Sequence, residues 1–70
     1  MNEESATKAR LMESAKREFL DKGFEKASLR KICADADVTT GAMYFFFKNK
    51  LDLFTSIVAE KAEHLLKLVE

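Results

Sequence analysis

Between Ser28 and Lys50 the chain reads SLRKICADADVTTGAMYFFFKNK, and its reactive groups are hydroxyls, cations and one phenol. Ser28, Thr39 and Thr40 offer hydroxyls, Tyr44 a phenol, and Arg30, Lys31, Lys48 and Lys50 positive charge. Gly41, Ala42 and Phe45 are interleaved with them. Such a set suits hydrogen bonds and charge pairs to phosphate, and apolar contact with base edges. Covalent chemistry needs other arrangements. No nucleophile stands beside a base, and Gly41 is isolated rather than part of a phosphate-cradling loop. His64, near Glu60 and Glu63, has no converging partners for a metal. The expectation is a binding protein, not an enzyme, with no metal and no cofactor.

Four helical segments must position these residues. The chain has no proline and only two glycines, and helix formers are plentiful, so the fold class is all-α. A first helix is expected over about Thr7 to Lys22, with Leu11, Met12, Ala15, Phe19 and Leu20 as its apolar stripe. Gly23 is its expected left-handed stop, and Phe24 folds back onto the stripe. Ser28 caps a short second helix of about eight residues, with Leu29, Ile32, Cys33 and Ala36 on its inner face. That helix ends near Asp37. Thr39 caps a third helix running to about Phe47. Asn49 caps a fourth, whose apolar surface includes Leu53, Phe54, Ile57, Val58, Ala62, Leu65, Leu66 and Val69.

The second and third helices, joined by a turn at Ala36-Asp37-Val38, read as a helix-turn-helix. Small Ala and Cys inner residues permit a close crossing, and Val38 fills the corner. The expected architecture is a three-helix, homeodomain-like bundle plus the start of a long fourth helix. At about 100° per residue, Met43 and Phe47 face inward and Gly41 and Phe45 outward. Ala42 lies beside the outward pair, and Thr40 and Tyr44 lie on one flank. Of Phe45, Phe46 and Phe47, one at least must be exposed. Ala42 and Phe45 are suited to thymine methyls, and Thr40 to a base or a phosphate.

Charge and size bound the reading. Twelve basic and twelve acidic residues leave zero formal charge, unlike many strongly basic nucleic-acid binders. The Ser28–Lys50 segment is locally basic, its acids being only Asp35 and Asp37. A single cysteine, Cys33, excludes an internal disulfide and fits a core position in a reducing cytoplasm. No apolar run is long enough for a membrane span.

The string V-T-T-G-A-M-Y-F-F-F-K-N-K-L-D-L, Val38 to Leu53, resembles the V-S-x-G-x-L-Y-x-Y/H-F-x-S/N-K-x-x-L pattern of the TetR (tetracycline-repressor-like) family. Ala15, Phe19, Gly23, Phe24, Ser28, Ile32 and Ala36 extend the likeness, which covers about Arg10 to Val58. The resemblance implies the DNA-binding head of a homodimeric bacterial repressor, reading a palindromic double-stranded operator. It also implies a helical ligand-binding domain, where a small-molecule inducer shifts the spacing of two heads. Carried over residue by residue, it puts Tyr44 and Lys50 on DNA phosphates and Ser28 near the backbone. Thr39, Thr40, Gly41, Ala42 and Phe45 take recognition-helix positions, and Arg30 or Lys31 faces DNA. Three departures weaken the expected electrostatic anchoring. Asp37 replaces a turn glycine, Phe46 a Tyr or His, and Thr40 a frequent lysine.

The expected organisation is a DNA-binding domain over residues 1–50. Residues 51–70 form a fourth helix leading into a C-terminal ligand-binding and dimerisation domain, because Leu65, Leu66, Leu68 and Val69 have little in a small bundle to cover them. The competing reading is a small helical protein-interaction module that uses Phe45, Phe46 and the end of the fourth helix. Salt separates the two: phosphate binding falls steeply with ionic strength and an apolar interface does not.

Overall fold

The computed structural model describes the backbone of residues 3–69 and the side chains of residues 6–60. It contains four helices: α1 (Glu3–Lys26), α2 (Leu29–Ala36), α3 (Thr40–Phe46) and α4 (Lys50–Val69). The first three, with the opening turns of α4, enclose one core. Leu11, Ala15, Phe19, Ile32, Cys33, Ala36, Met43, Phe47, Leu53 and Ile57 are buried in it. Leu53 and Ile57 belong to that core, so the packed unit extends into α4. The side chains of Ala62, Glu63, His64, Leu65, Leu66, Leu68 and Val69 lie outside the described residues. Among the described residues, no helix is long and apolar enough to cross a membrane.

Two expectations for the first helix are corrected. Its helical turns begin before Thr7, and beyond a non-helical Gly23 one more turn follows to Lys26. Gly23 has φ 80° and ψ 168°, which is not the left-handed helical stop expected. That combination is open essentially to glycine alone. Gly23 interrupts the helix at the expected place, with positive φ but an extended ψ, and a short turn restarts from its carbonyl, which accepts from Ala27 N–H at 3.1 Å. The bend brings Phe24 back against Phe19 and Phe54, at centroid distances of 6.0 and 5.3 Å. The second correction concerns Leu20, which is 84% exposed rather than part of the core stripe. Nine helical steps of about 100° carry it to the side opposite Leu11. It rims an apolar groove between α1 and α4 with Phe54, Ile57 and Val58.

Beside the apolar line of α1 runs a polar one. Arg10 Nε donates to the Ala36 carbonyl (3.2 Å), Ser14 Oγ to the Ile32 carbonyl (2.9 Å), and the Glu18 carboxylate accepts from Ser28 N–H (3.0 Å). Each step of four along α1 meets a step of four back along α2. The two helices are therefore bonded, turn by turn, in antiparallel register. Ser14 and Glu18 are both buried, and each has a partner, as burial of polar groups demands.

The turn and the next helices are set by local chemistry. Asp37 takes φ 59° and ψ 47°. Its N–H donates to the Ala34 carbonyl at 3.1 Å, and Val38 N–H to the Cys33 carbonyl at 2.9 Å. This is the bonding of a Schellman motif, with Asp in the place usually given to glycine. Val38 packs half-buried against the core. At α4, Asn49 Oδ1 accepts from Asp52 N–H (2.8 Å), and Asp52 Oδ2 reaches back to Lys48 N–H (2.9 Å). Reciprocal bonds of this kind fix a helix start in the manner of a capping box.

Candidate nucleic-acid interface

Helix α3 is too short to hold itself in water, so its orientation is set by what it buries. Met43 is buried completely and Phe47 nearly so. Lys8 of α1 sits over the Phe47 ring, 5.8 Å from its centroid. Thr39 Oγ1 accepts from Ala42 N–H at 3.1 Å and caps the first turn. With Met43 and Phe47 inside, Thr40, Gly41, Tyr44 and Phe45 face out, and Ala42 is half-buried beside them. Phe45 is 74% exposed and Tyr44 53%. The three consecutive phenylalanines thus divide into one buried, one half-buried and one exposed.

The start of α2 is built from Ser28. Its Oγ accepts from Lys31 N–H at 3.2 Å, and its own N–H is taken by Glu18. The hydroxyl proton is left for an outside acceptor. Arg30, two residues on in the first turn of the same helix, is exposed. Lys31 is exposed as well and pairs loosely with Asp35 at 3.4 Å, a surface ion pair of little energetic weight. Lys50 is placed differently from an ordinary solvated lysine. Its ammonium donates to the carbonyls of Glu25 (3.0 Å) and Ala27 (3.1 Å) and lies 4.9 Å from the Phe24 ring centroid. An ammonium has three donors, so one remains for another acceptor.

A short amphipathic helix, presented outward by a capped helix-turn pair, is the arrangement that enters a DNA major groove. Residues 11–57 match the family described as bacterial regulatory proteins, tetR family. The chain belongs to the TetR family. This TetR-family domain is the DNA-binding unit of a bacterial transcriptional regulator. It is similar to the HTH-type transcriptional repressor BepR of Brucella suis, with 39% identity over 80% of this chain and 27% of the relative. Likeness to the HTH-type transcriptional regulator TtgR of Pseudomonas putida is 34% over 97% of the chain and 34% of the relative. The probable HTH-type transcriptional regulator YttP of Bacillus subtilis shares 37% over 93% of the chain and 31% of its own length. The chain therefore spans about a third or less of these relatives. No solved structure gives a significant match.

In the TetR-family domain, the residues singled out from sequence fall into two groups. Thr40, Gly41, Tyr44 and Phe45 share the outer surface of α3, with Ala42 at its edge and Thr39 at its cap. Ser28 and Arg30 open α2, and Lys50 ties the loop before α2 to the first turn of α4. Sequence reasoning missed Arg10, Ser14 and Glu18. The available signal was their spacing: polar residues at i, i+4 and i+8 directly beside the line Leu11, Ala15, Phe19. Cys33 is in the core as expected, and burial pushes its thiol above the ordinary value.

Glu18 gives the domain an acid-sensitive joint. The Ser28 N–H holds its carboxyl below the ordinary value of 4.5, burial opposes this, and Lys22 at 3.1 Å adds to the lowering. A carboxylate with a depressed folded value stabilises the fold above its unfolded value. That contribution is lost as pH falls through the folded value. Stability should therefore decline below about pH 4.5, the ordinary value. Glu18→Gln should flatten that acid limb, as read by urea melts followed by circular dichroism across pH 3 to 7. An unchanged pH profile would remove Glu18 from this role.

Proposed function

We propose that the chain is the operator-reading head of a ligand-responsive repressor, and that it acts by binding rather than catalysis. The observation that carries this is the seating of α3: Met43 and Phe47 inside, Gly41 and Phe45 outside. On this reading, Ser28, Arg30, Tyr44 and the remaining donor of Lys50 meet phosphates and fix the register. Thr39, Thr40, Gly41, Ala42 and Phe45 meet base edges. The full regulator is a cytoplasmic homodimer on a palindromic operator, with half-sites about one helical turn or more apart. A helical domain continuing from α4 binds a small inducer and changes the spacing of the two heads. The similarity to a named repressor and to named regulators of greater length supports this part.

Salt dependence tests the reading. Arg30 is exposed, so Arg30→Ala should leave the melting temperature unchanged. It should lower affinity for all duplexes and flatten the log affinity against log salt by about 0.9, the value of one phosphate contact. Lys50→Ala should do the same to the slope but also lower the melting temperature, because two loop carbonyls lose their donor. Anisotropy titrations between 50 and 200 mM salt read the first effect and thermal melts the second. Slopes unchanged in both variants would place these cations away from DNA.

A further inference from the structure

The geometry points to a recognition surface that reads thymine chiefly by its 5-methyl group rather than by base-edge hydrogen bonds. This rests on the reading of α3 as the base-contacting helix. The sequence of α3, TGAMYFF, carries no arginine, lysine, asparagine, glutamine, aspartate or glutamate. Those are the side chains that make the discriminating hydrogen bonds to guanine, adenine and cytosine in the major groove. What α3 exposes at its centre is Gly41 and, one turn on, the ring of Phe45.

On this proposal the two positions form the seat for that methyl. A Cβ at Gly41 would find only Thr39 Oγ1, at 4.0 Å, so the ground above that residue is open. The Phe45 ring does not fill it. The ring stands edge-on to Phe46, 5.2 Å between centroids and 89° between planes, and Phe46 is packed against the core. An exposed ring thus lies one turn along α3 from a position that carries no side chain, on the same outer face. In the major groove the 5-methyl of thymine is the one apolar group a base pair presents. The exposed Phe45 ring, resting edge-on against Phe46, offers that methyl an apolar contact. Thymine binding here is a dispersion and desolvation contact, so the preference should not depend on salt even while total affinity does.

The test uses random-core duplexes, selected on the 70-residue chain immobilised at high density, followed by titration of the enriched duplex. Each thymine is then replaced by uracil, which removes the methyl and keeps every hydrogen-bonding group. At one or more positions affinity should fall about fourfold, the equivalent of one buried CH₂ group. The ratio should hold between 50 and 200 mM salt. Where a T·A pair is changed to C·G, 5-methylcytosine should restore part of the loss. Phe45→Ala, at an exposed position, should abolish the difference between thymine and uracil. Sequence-specific binding that tolerates uracil everywhere would overturn the methyl reading and leave α3 as the base reader. Absence of any sequence preference would overturn both. The uracil series needs no variant, so it decides the matter even if Phe45→Ala is poorly folded.

Discussion

Met43→Ala should unfold a large share of the domain and abolish measurable DNA binding. Met43 is fully enclosed, and it is the one residue within α3 classed as buried. Truncating a buried methionine to alanine removes transfer free energy and leaves a cavity, together about 2–5 kcal/mol. A 70-residue domain has little to spare, since stability scales as roughly 0.05–0.15 kcal/mol per residue. At about 4–8 °C per kcal/mol for this size, the melting temperature should fall by about 10 °C or more. The loss is also local in its consequence. A seven-residue helix has no independent stability, so without its anchor α3 no longer presents Gly41 and Phe45. Met43→Leu keeps the volume and should cost less than about 1.5 kcal/mol, with binding retained. Thermal melts and anisotropy titrations of the two variants check both effects. A Met43→Ala protein that melts like the parent and still binds would mean that α3 is held by something else.

Gly41→Ala should move stability and binding in opposite directions. Nothing inside the domain requires glycine there: an added Cβ meets only Thr39 Oγ1 at 4.0 Å, and the backbone is helical. Alanine is favoured over glycine in a helix by about 0.5–1 kcal/mol, so the variant should melt a few degrees higher. Any constraint that favours glycine there comes from outside the fold. If α3 lies against base edges, an added methyl crowds the contact surface and fills the proposed thymine seat. Overpacking a tight interface by one methyl costs about 1–3 kcal/mol, or roughly tenfold in affinity. Affinity for the selected duplex should fall by that factor and the thymine preference should vanish. A variant that is more stable and binds as tightly as the parent would show that α3 stands off the DNA at its first turn.

The electrostatic character of the site follows from its composition and from the polar bonds between α1 and α2. With zero formal net charge, the domain has no global attraction for DNA, and on the proposed reading its affinity rests on a few placed cations. One of them, Lys50, is partly spent on loop carbonyls. At the start of α2 the Ser28 N–H is already taken by the Glu18 carboxylate. This head should therefore bind weakly as a single copy.

Features settled between near neighbours were legible in the residues alone. Ser28, Asp37, Thr39 and Asn49 set their own helix ends, because each bonds backbone within a few residues. Helical periodicity alone put Met43 and Phe47 inside and Gly41 and Phe45 outside, since a strong two-residue anchor leaves a short helix no other rotation. It failed for Leu20, where a stripe narrower than the list of apolar residues left the last member facing solvent. Only the tertiary structure decided the partners of Arg10, Ser14, Glu18 and Lys50. Their hydrogen bonds join residues ten to twenty-six positions apart, and all end on backbone atoms, which every residue carries. A polar side chain aimed at backbone leaves no mark of its own at the receiving position. Which carbonyl or N–H it meets depends on how two helices cross, and that is fixed when the core closes.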